Sequence, residues 1–242
     1  MTGQRIQTRT VNYTCGDMHM EGDLFRPDLT ADRPAVLVFP EGFGLGEHAR
    51  SRAKRIAELG YVAMACDLHG NARVIESSDE AFRVLGPLSK DASEIRKRAA
   101  SALNALLSQD GVAKDCVAAV GFCFGGTMAL ELARSGADLR AVVGFHCGLA
   151  TTRPEDAPNI KARILVCIGS DDPVVPPEQR AAFEREMRAS RVQWQLNVYG
   201  GAVHSFTDPA ADKRGQMEAF RYDPEADRLS WDAMTRLFRN VL

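Results

Sequence analysis

Three residues able to share an acyl-transfer reaction occur in this sequence, each in a turn-rich setting. Cys123 lies in Gly121-Phe-Cys-Phe-Gly125, Asp172 in Gly169-Ser-Asp-Asp-Pro-Val-Val-Pro176, and His204 in Gly200-Gly-Ala-Val-His-Ser-Phe206. The first fits Gly-x-nucleophile-x-Gly, a sharp strand-to-helix corner that exposes the central side chain above a sheet edge. Glycines flank it because a Cβ there would collide with the neighbouring strand and helix. A helix beginning at Phe124 turns its free N–H groups and positive dipole end toward the sulfur, which favours the nucleophilic thiolate. The Phe124 N–H is also available to hold an oxyanion.

The motif alone is weak, since a structural glycine turn can carry a cysteine by accident. Its neighbours in the chain strengthen it. His204 follows a late apolar run and a Gly-Gly turn, a station suited to a general base. Asp172, directly after the run Ile164–Ile168, can fix the tautomer of a histidine and stabilise its cation. Asp171 is its rival, and either aspartate could instead cap the helix that starts at Pro177. Among the other histidines, His19 lies in an N-terminal hairpin and His48 opens a polar helix. His69 and His146 end strands and could line a pocket, but are poorer bases.

The elements that would position these residues follow from the hydrophobic pattern. Arg5–Tyr13 alternates, Cys15-Gly-Asp17 turns, and Met18–Phe25 returns, as in an antiparallel hairpin. Ala35–Phe39, Tyr61–Ala65, Val117–Phe122, Ala141–Phe145, Ile164–Ile168 and Val192–Val198 read as strands. The apolar runs among them suit strands buried on both faces. Helices are expected over Glu47–Leu59, closed by Gly60, over Asp91–Leu107, Phe124–Arg134 and Pro177–Ala189, and as an amphipathic C-terminal segment Pro224–Leu242. Residues 70–90 read as irregular. Such alternation predicts a doubly wound, mostly parallel sheet with helices on both faces. Without repeats or Pro/Gly-rich linkers, residues 1–242 are expected to form a single domain.

Composition narrows the partners. Lys plus Arg is 30 and Asp plus Glu is 32, a net charge of −2, so neither nucleic acid nor an anionic membrane surface is expected to bind. Apolar runs are strand-sized, and the N-terminal stretch MTGQRIQTRT has no apolar leader pattern, so a cytoplasmic protein is expected. None of the six cysteines forms a C-x-x-C pair, and most sit in apolar runs as small buried hydrophobes. Neither a metal nor an organic cofactor is implied.

Taken together, these segments resemble the dienelactone hydrolase family of the α/β-hydrolase superfamily. Gly121-Phe-Cys-Phe-Gly-Gly126 resembles its cysteine elbow, Gly169–Pro176 its acid turn, Gly201–Phe206 its histidine loop, and Phe39-Pro-Glu-Gly-Phe-Gly44 its glutamate loop. The tail around Tyr222–Asp227 and Ser230-Trp231 is also similar. The likeness spans roughly residues 20 to 240. It implies an α/β-hydrolase fold and hydrolysis of esters or lactones. Cys123 would be the nucleophile, His204 the base and then acid, Asp172 its partner, and the Gly42 and Phe124 amides the oxyanion hole. Glu41 would sit near the thiol and hold it neutral by like-charge repulsion, or take its proton once substrate enters.

The substrate side departs from the family. Its lactonases hold a substrate carboxylate with arginines, one a few residues after the histidine; here His204–Asp208 contains no arginine and ends in an acid. Arg73 and Arg83, from the variable 70–90 region, are candidate substitutes, and Arg214 and Arg221 could approach the pocket. Phe43, His146 and Phe206 are expected to complete the substrate site. The partner is therefore a small ester or lactone, anionic or neutral, bound by a monomer or homodimer. Three alternatives remain: a broad carboxylesterase or thioesterase, a glutamine amidotransferase (disfavoured because His204 is followed by Ser-Phe and not x-Glu), and a non-catalytic redox sensor using Cys123.

Overall fold

The computed structural model describes residues 5–28 and 31–242. Residues 1–4, part of the stretch read as lacking a leader, and residues 29–30 lie outside the described residues.

An N-terminal hairpin, β1 (Ile6–Cys15) and β2 (Met18–Pro27), precedes six strands alternating with helices: β3 (Arg33–Phe39), β4 (Val62–Ala65), β5 (Val112–Phe122), β6 (Ala141–Phe145), β7 (Arg163–Gly169) and β8 (Trp194–Tyr199). They form one sheet in the order β1-β2-β4-β3-β5-β6-β7-β8. Strands β3 to β8 are parallel, while β1 pairs antiparallel with β2 and β2 with β4. The expected mostly parallel α/β architecture with an antiparallel N-terminal hairpin is what forms.

Alternation along the strands builds two cores. In β3, Ala35, Leu37 and Phe39 face one side while Val36 and Val38 face the other. In β5, Val117 and Ala119 oppose Ala118, Val120 and Phe122 in the same way. The first face is covered by α3 (Ala92–Leu107), α4 (Phe124–Arg134) and α5 (Pro177–Ala189), and the second by α1 (Glu47–Glu58) and α6 (Pro224–Val241). Helix α1 buries Ala49, Arg52, Ala53, Ile56 and Ala57, a three-and-four spacing along one stripe. Every residue of α4 is buried, because it lies beneath the elbow against the sheet's centre. Arg134, fully buried, ties α4 to α5 through Glu186 (2.7 Å) and pairs with Glu131 (2.9 Å), which Arg96 of α3 also reaches (2.8 Å). Such a charge is tolerable in the interior only because each pole is paired.

Residues 70–90 correct the expectation of irregular chain. They contain α2 (Ser78–Leu88), whose N-cap Ser77 accepts from the Glu80 N–H. The signal was there, a Ser-x-x-Glu start followed by Ala81, Leu85 and Leu88, but Gly86-Pro87 near the end disguised it. Two short 3₁₀ turns, Pro154–Asn159 and Ala211–Arg214, also escaped the pattern. Pro176 occupies the N-cap of α5 without a side-chain bond, so neither aspartate of the acid turn caps that helix. Among the described residues, no helix is long and apolar enough to cross a membrane.

Strand order reverses between β4, β3 and β5, which opens a crevice beyond the carboxyl ends of β3 and β5. The elbow at that crevice leaves no room for side chains. A Cβ on Gly121 would stand 2.0 Å from the Gly125 carbonyl oxygen, and one on Gly125 would stand 2.4 Å from the Phe39 and Pro40 oxygens. Gly86 in α2 has open space around its Cβ position. Gly121→Ala is therefore expected to cost about 3 kcal/mol of stability, whereas Gly86→Ala should gain about 0.5–1 kcal/mol, both read from urea midpoints.

Candidate active site

Cys123 sits between β5 and α4 at φ 51°, ψ −122°. That left-handed conformation costs a non-glycine residue about 1–3 kcal/mol and persists only where the surroundings impose it. Here they do. The Cys123 N–H donates to the Phe145 carbonyl (3.0 Å), and its own carbonyl accepts from Gly126 (3.1 Å). Beneath, a Cβ on Gly126 would stand 2.4 Å from that of Cys147, so a small thiol fills the floor. Burial raises the Cys147 thiol above its ordinary range and that of Cys167 to about 12. These are the inert packing cysteines expected from their apolar runs. Cys123 is half-buried instead and opens into a cavity of about 70 Å³.

Asp172 and His204 come from the loops after β7 and β8, as expected from their stations. The His204 Nδ1–H donates to Asp172 Oδ2 at 2.9 Å; a carboxylate can only accept, so the tautomer is fixed and Nε2 is left available. Asp172 Oδ1 accepts from the Val174 N–H (2.8 Å), which orients the carboxylate. Asp171 binds the Ser170 hydroxyl and faces solvent, so the histidine's partner is Asp172. His204 Nε2 is buried and makes no hydrogen bond to a described residue. Its ring lines the same cavity as Cys123. Burial pulls this imidazole down, but the Cys123 sulfur and the Asp172 carboxylate outweigh it and push it up to about 10. A second segment clips the histidine in place: His204 N–H donates to the Ala219 carbonyl, Arg221 N–H to the His204 carbonyl, and the Phe220 ring stands edge-on to the imidazole at 5.4 Å.

The remaining expectations divide. Gly42 and Phe43 line the cavity. Neither the Gly42 nor the Phe124 N–H is taken up by a backbone hydrogen bond among the described residues, so both stand available for an anion. The Gly42 carbonyl accepts from His69 Nε2 (2.9 Å), which anchors that loop, and a Cβ at Gly42 would press on Leu85 at 2.4 Å. Glu41 is buried but spends its oxygens elsewhere than on sulfur: Ser205 Oγ donates to one (3.0 Å) and Arg214 to the other (2.9 Å). Burial works against its ionisation, yet His48, Arg214 and His146 outweigh that and hold the carboxyl at about 2.

Four of the five residues expected to meet substrate are placed elsewhere. Arg73 is exposed and paired with Glu80 (2.5 Å), and Arg83 is exposed on α2, outside the cavity lining. His146 and Phe206 are fully buried behind the histidine: His146 bonds the Thr207 hydroxyl (2.7 Å) and stands edge-on to His204 at 5.2 Å. Burial and the neighbouring His204 depress the His146 imidazole well below its usual value. Arg221 is spent on the Met217 and Gly201 carbonyls.

Helix α2, in the segment the sequence reading left without a regular element, supplies one wall through Ser78, Ala81, Phe82 and Leu85, and Val174 and Phe220 complete it. Arg214, noted only as able to approach, does line the cavity, its guanidinium 4.5 Å from the Phe43 ring centre. Among the described residues, no group of three or more His, Cys, Asp or Glu stands so as to hold a metal ion.

A thiol on a strained strand-to-helix elbow, faced by a carboxylate-bound imidazole at the carboxyl edge of a doubly wound sheet, defines the chain as an α/β hydrolase. Within that class, the model of the dienelactone hydrolase family matches residues 20–242, and the chain belongs to that family. Among solved structures it is similar to a dienelactone hydrolase-like promiscuous phosphotriesterase from metagenomic libraries (42% identity, 98% of each chain, TM-score 0.93). It is also similar to a protein described as m3DLH (47% identity, 98% of this chain and 99% of the other, TM-score 0.95). A Bradyrhizobium sp. relative, 29% identical over 94% of each chain, is named "Probable 2-oxo-3-(5-oxofuran-2-ylidene)propanoate lactonase".

The buried Glu41 carboxylate makes an acid-side prediction. Its folded value of about 2 lies below the ordinary 4.5, so its contribution to stability is fully present above 4.5 and is lost as the pH falls toward 2. Glu41→Gln should lower the thermal midpoint at neutral pH, and the gap to the parent should narrow through that window.

Proposed function

We propose that residues 1–242 work as one α/β-hydrolase domain that cleaves a carboxylic ester or lactone through Cys123, His204 and Asp172. The observation that supports this most is the buried His204 ring, fixed on Asp172 at 2.9 Å with Nε2 left over in the cavity that Cys123 also lines. An imidazole pushed up to about 10 beside the sulfur and the Asp172 carboxylate is a base able to take the thiol proton as sulfur attacks.

In the first step sulfur attacks the carbonyl carbon. The carbonyl oxygen takes the charge and is held by the Gly42 and Phe124 amides. The C–O bond to the leaving alcohol breaks, His204 gives that oxygen its proton, and a thioester on Cys123 remains. His204, now neutral, takes a proton from water; the hydroxide adds to the thioester, and the acid leaves as the sulfur is released. Glu41, tied to Arg214 and Ser205, then acts by placing the loop that carries Gly42. Its direct proton transfer to or from the thiol belongs to a rearranged site with substrate bound.

A purified-protein panel of lactones, aryl esters and thioesters tests this reading. Cys123→Ala should remove about a thousandfold or more of kcat/KM with far-UV and near-UV dichroism unchanged, and unchanged turnover would sink the assignment. His204→Ala should cost about a hundredfold or more. Cys123→Ser should keep a residue of esterase activity that depends on His204, because a hydroxyl needs the base more than a thiol does. Thiol oxidation without turnover of any ester would favour the redox-sensing alternative.

A further inference from the structure

Arg214 is the only arginine or lysine lining the cavity among the described residues, and the structure shows what its charge is used for. Its Nη2 donates both to Glu41 Oε2 (2.9 Å) and to Asp208 Oδ2 (2.5 Å), and its Nη1 donates to Ser205 Oγ (3.1 Å). Both acids are buried, and one face of the guanidinium lies over Phe43. One positive group set between two acids leaves no surplus positive charge for a ligand. A substrate carboxylate would have to displace one of these acids and leave it buried without its partner, which is costly. Away from Cys123 and His204, whose charges are coupled to each other, the wall of Phe43, Ala81, Phe82, Leu85, Val174 and Phe220 offers apolar surface and no second arginine or lysine.

From this arrangement we propose that Asp208 clamps Arg214 away from substrate, so that the cavity selects short, uncharged acyl groups and disfavours esters and lactones that carry a carboxylate. Asp208 acts here as a positioning residue, through Arg214. The proposal rests on the ester-hydrolase reading of the cavity and deepens it. It sets this chain apart from a relative whose name specifies a propanoate, an anionic substrate.

The test uses two esters of similar size with the same leaving group, p-nitrophenyl butyrate and mono-p-nitrophenyl succinate. The parent protein should hydrolyse the neutral ester with kcat/KM about tenfold or more above the anionic one. Asp208→Asn, which keeps the shape but removes the clamping charge, should raise the succinate-to-butyrate ratio by about tenfold or more, chiefly through a lower KM for succinate. Asp208→Glu, which keeps the charge, should hold the ratio near the parent's. A parent that prefers succinate, or an Asp208→Asn ratio equal to the parent's, overturns the proposal.

A second measurement is independent of turnover. Cys123 is alkylated with iodoacetamide or iodoacetate; the sulfur–carbon bond forms, iodide leaves, the thiol proton passes to solvent, and the product is located by peptide mass. The iodoacetate-to-iodoacetamide rate ratio should rise about tenfold in Asp208→Asn. If no ester is hydrolysed, the hydrolase reading falls while this ratio still decides the clamp: a rise supports it, and an unchanged ratio overturns it.

Discussion

The steric crush at the end of β5 is the constraint on which everything else hangs. The elbow brings α4 so close to β5 and to the end of β3 that the positions of Gly121, Gly125 and Gly126 have no space for a Cβ. Only in that compression does Cys123 hold a left-handed backbone. The strain is sustained by a fully buried α4 and by hydrogen bonds to β6, so the sulfur's position is set by the sheet itself. A thiol held in this way has its position set before any ligand arrives.

Around this fixed point the other groups are placed by layered hydrogen bonding. Asp172 is oriented by a backbone N–H before it orients His204. Behind the histidine, Thr207 accepts from Arg52, whose guanidinium also pairs twice with Asp227 of α6 at 2.9 Å. His48, on the same helix as Arg52, bonds the Thr207 carbonyl (3.2 Å). The loop that carries the His204 imidazole is thus pinned to α1 and α6 through buried polar bonds, where each unpaired group would be costly. Helices that look remote in sequence fix the geometry of His204.

How far the sequence could be read follows from the type of signal. Strands and helices of the sheet layer were legible because continuous apolar runs and three-and-four spacing report burial directly, and the motif glycines report close backbone approach. That Cys123, His204 and Asp172 would come together was legible because each sits in a short turn at the end of such a run. Arg73, Arg83, His146 and Phe206 were misplaced for one reason: local sequence says that a residue is near a strand end but not which way its side chain faces. His146 and Phe206 turn inward behind His204, and Arg73 turns to Glu80. Arg214 could not be assigned, since its ion pairs join residues 41, 208 and 214, and no periodicity links them. Helix α2 was lost to Gly86-Pro87, which punctuate its last turn.

That helix differs from the other five in how it is held. It buries only Ala81 and Leu88 while turning Phe82 outward with 59% of its surface exposed, and no strand packs along it. The roof of the cavity is therefore tied to its foundation chiefly through Leu85 and Leu88. Replacing Ser78 or Phe82, which line the cavity without joining the core, alters what fits over the sulfur while leaving the sheet and the elbow in place. In such an architecture the shape above the sulfur can drift through a few positions of one surface helix, and the elbow beneath stays the same in every version.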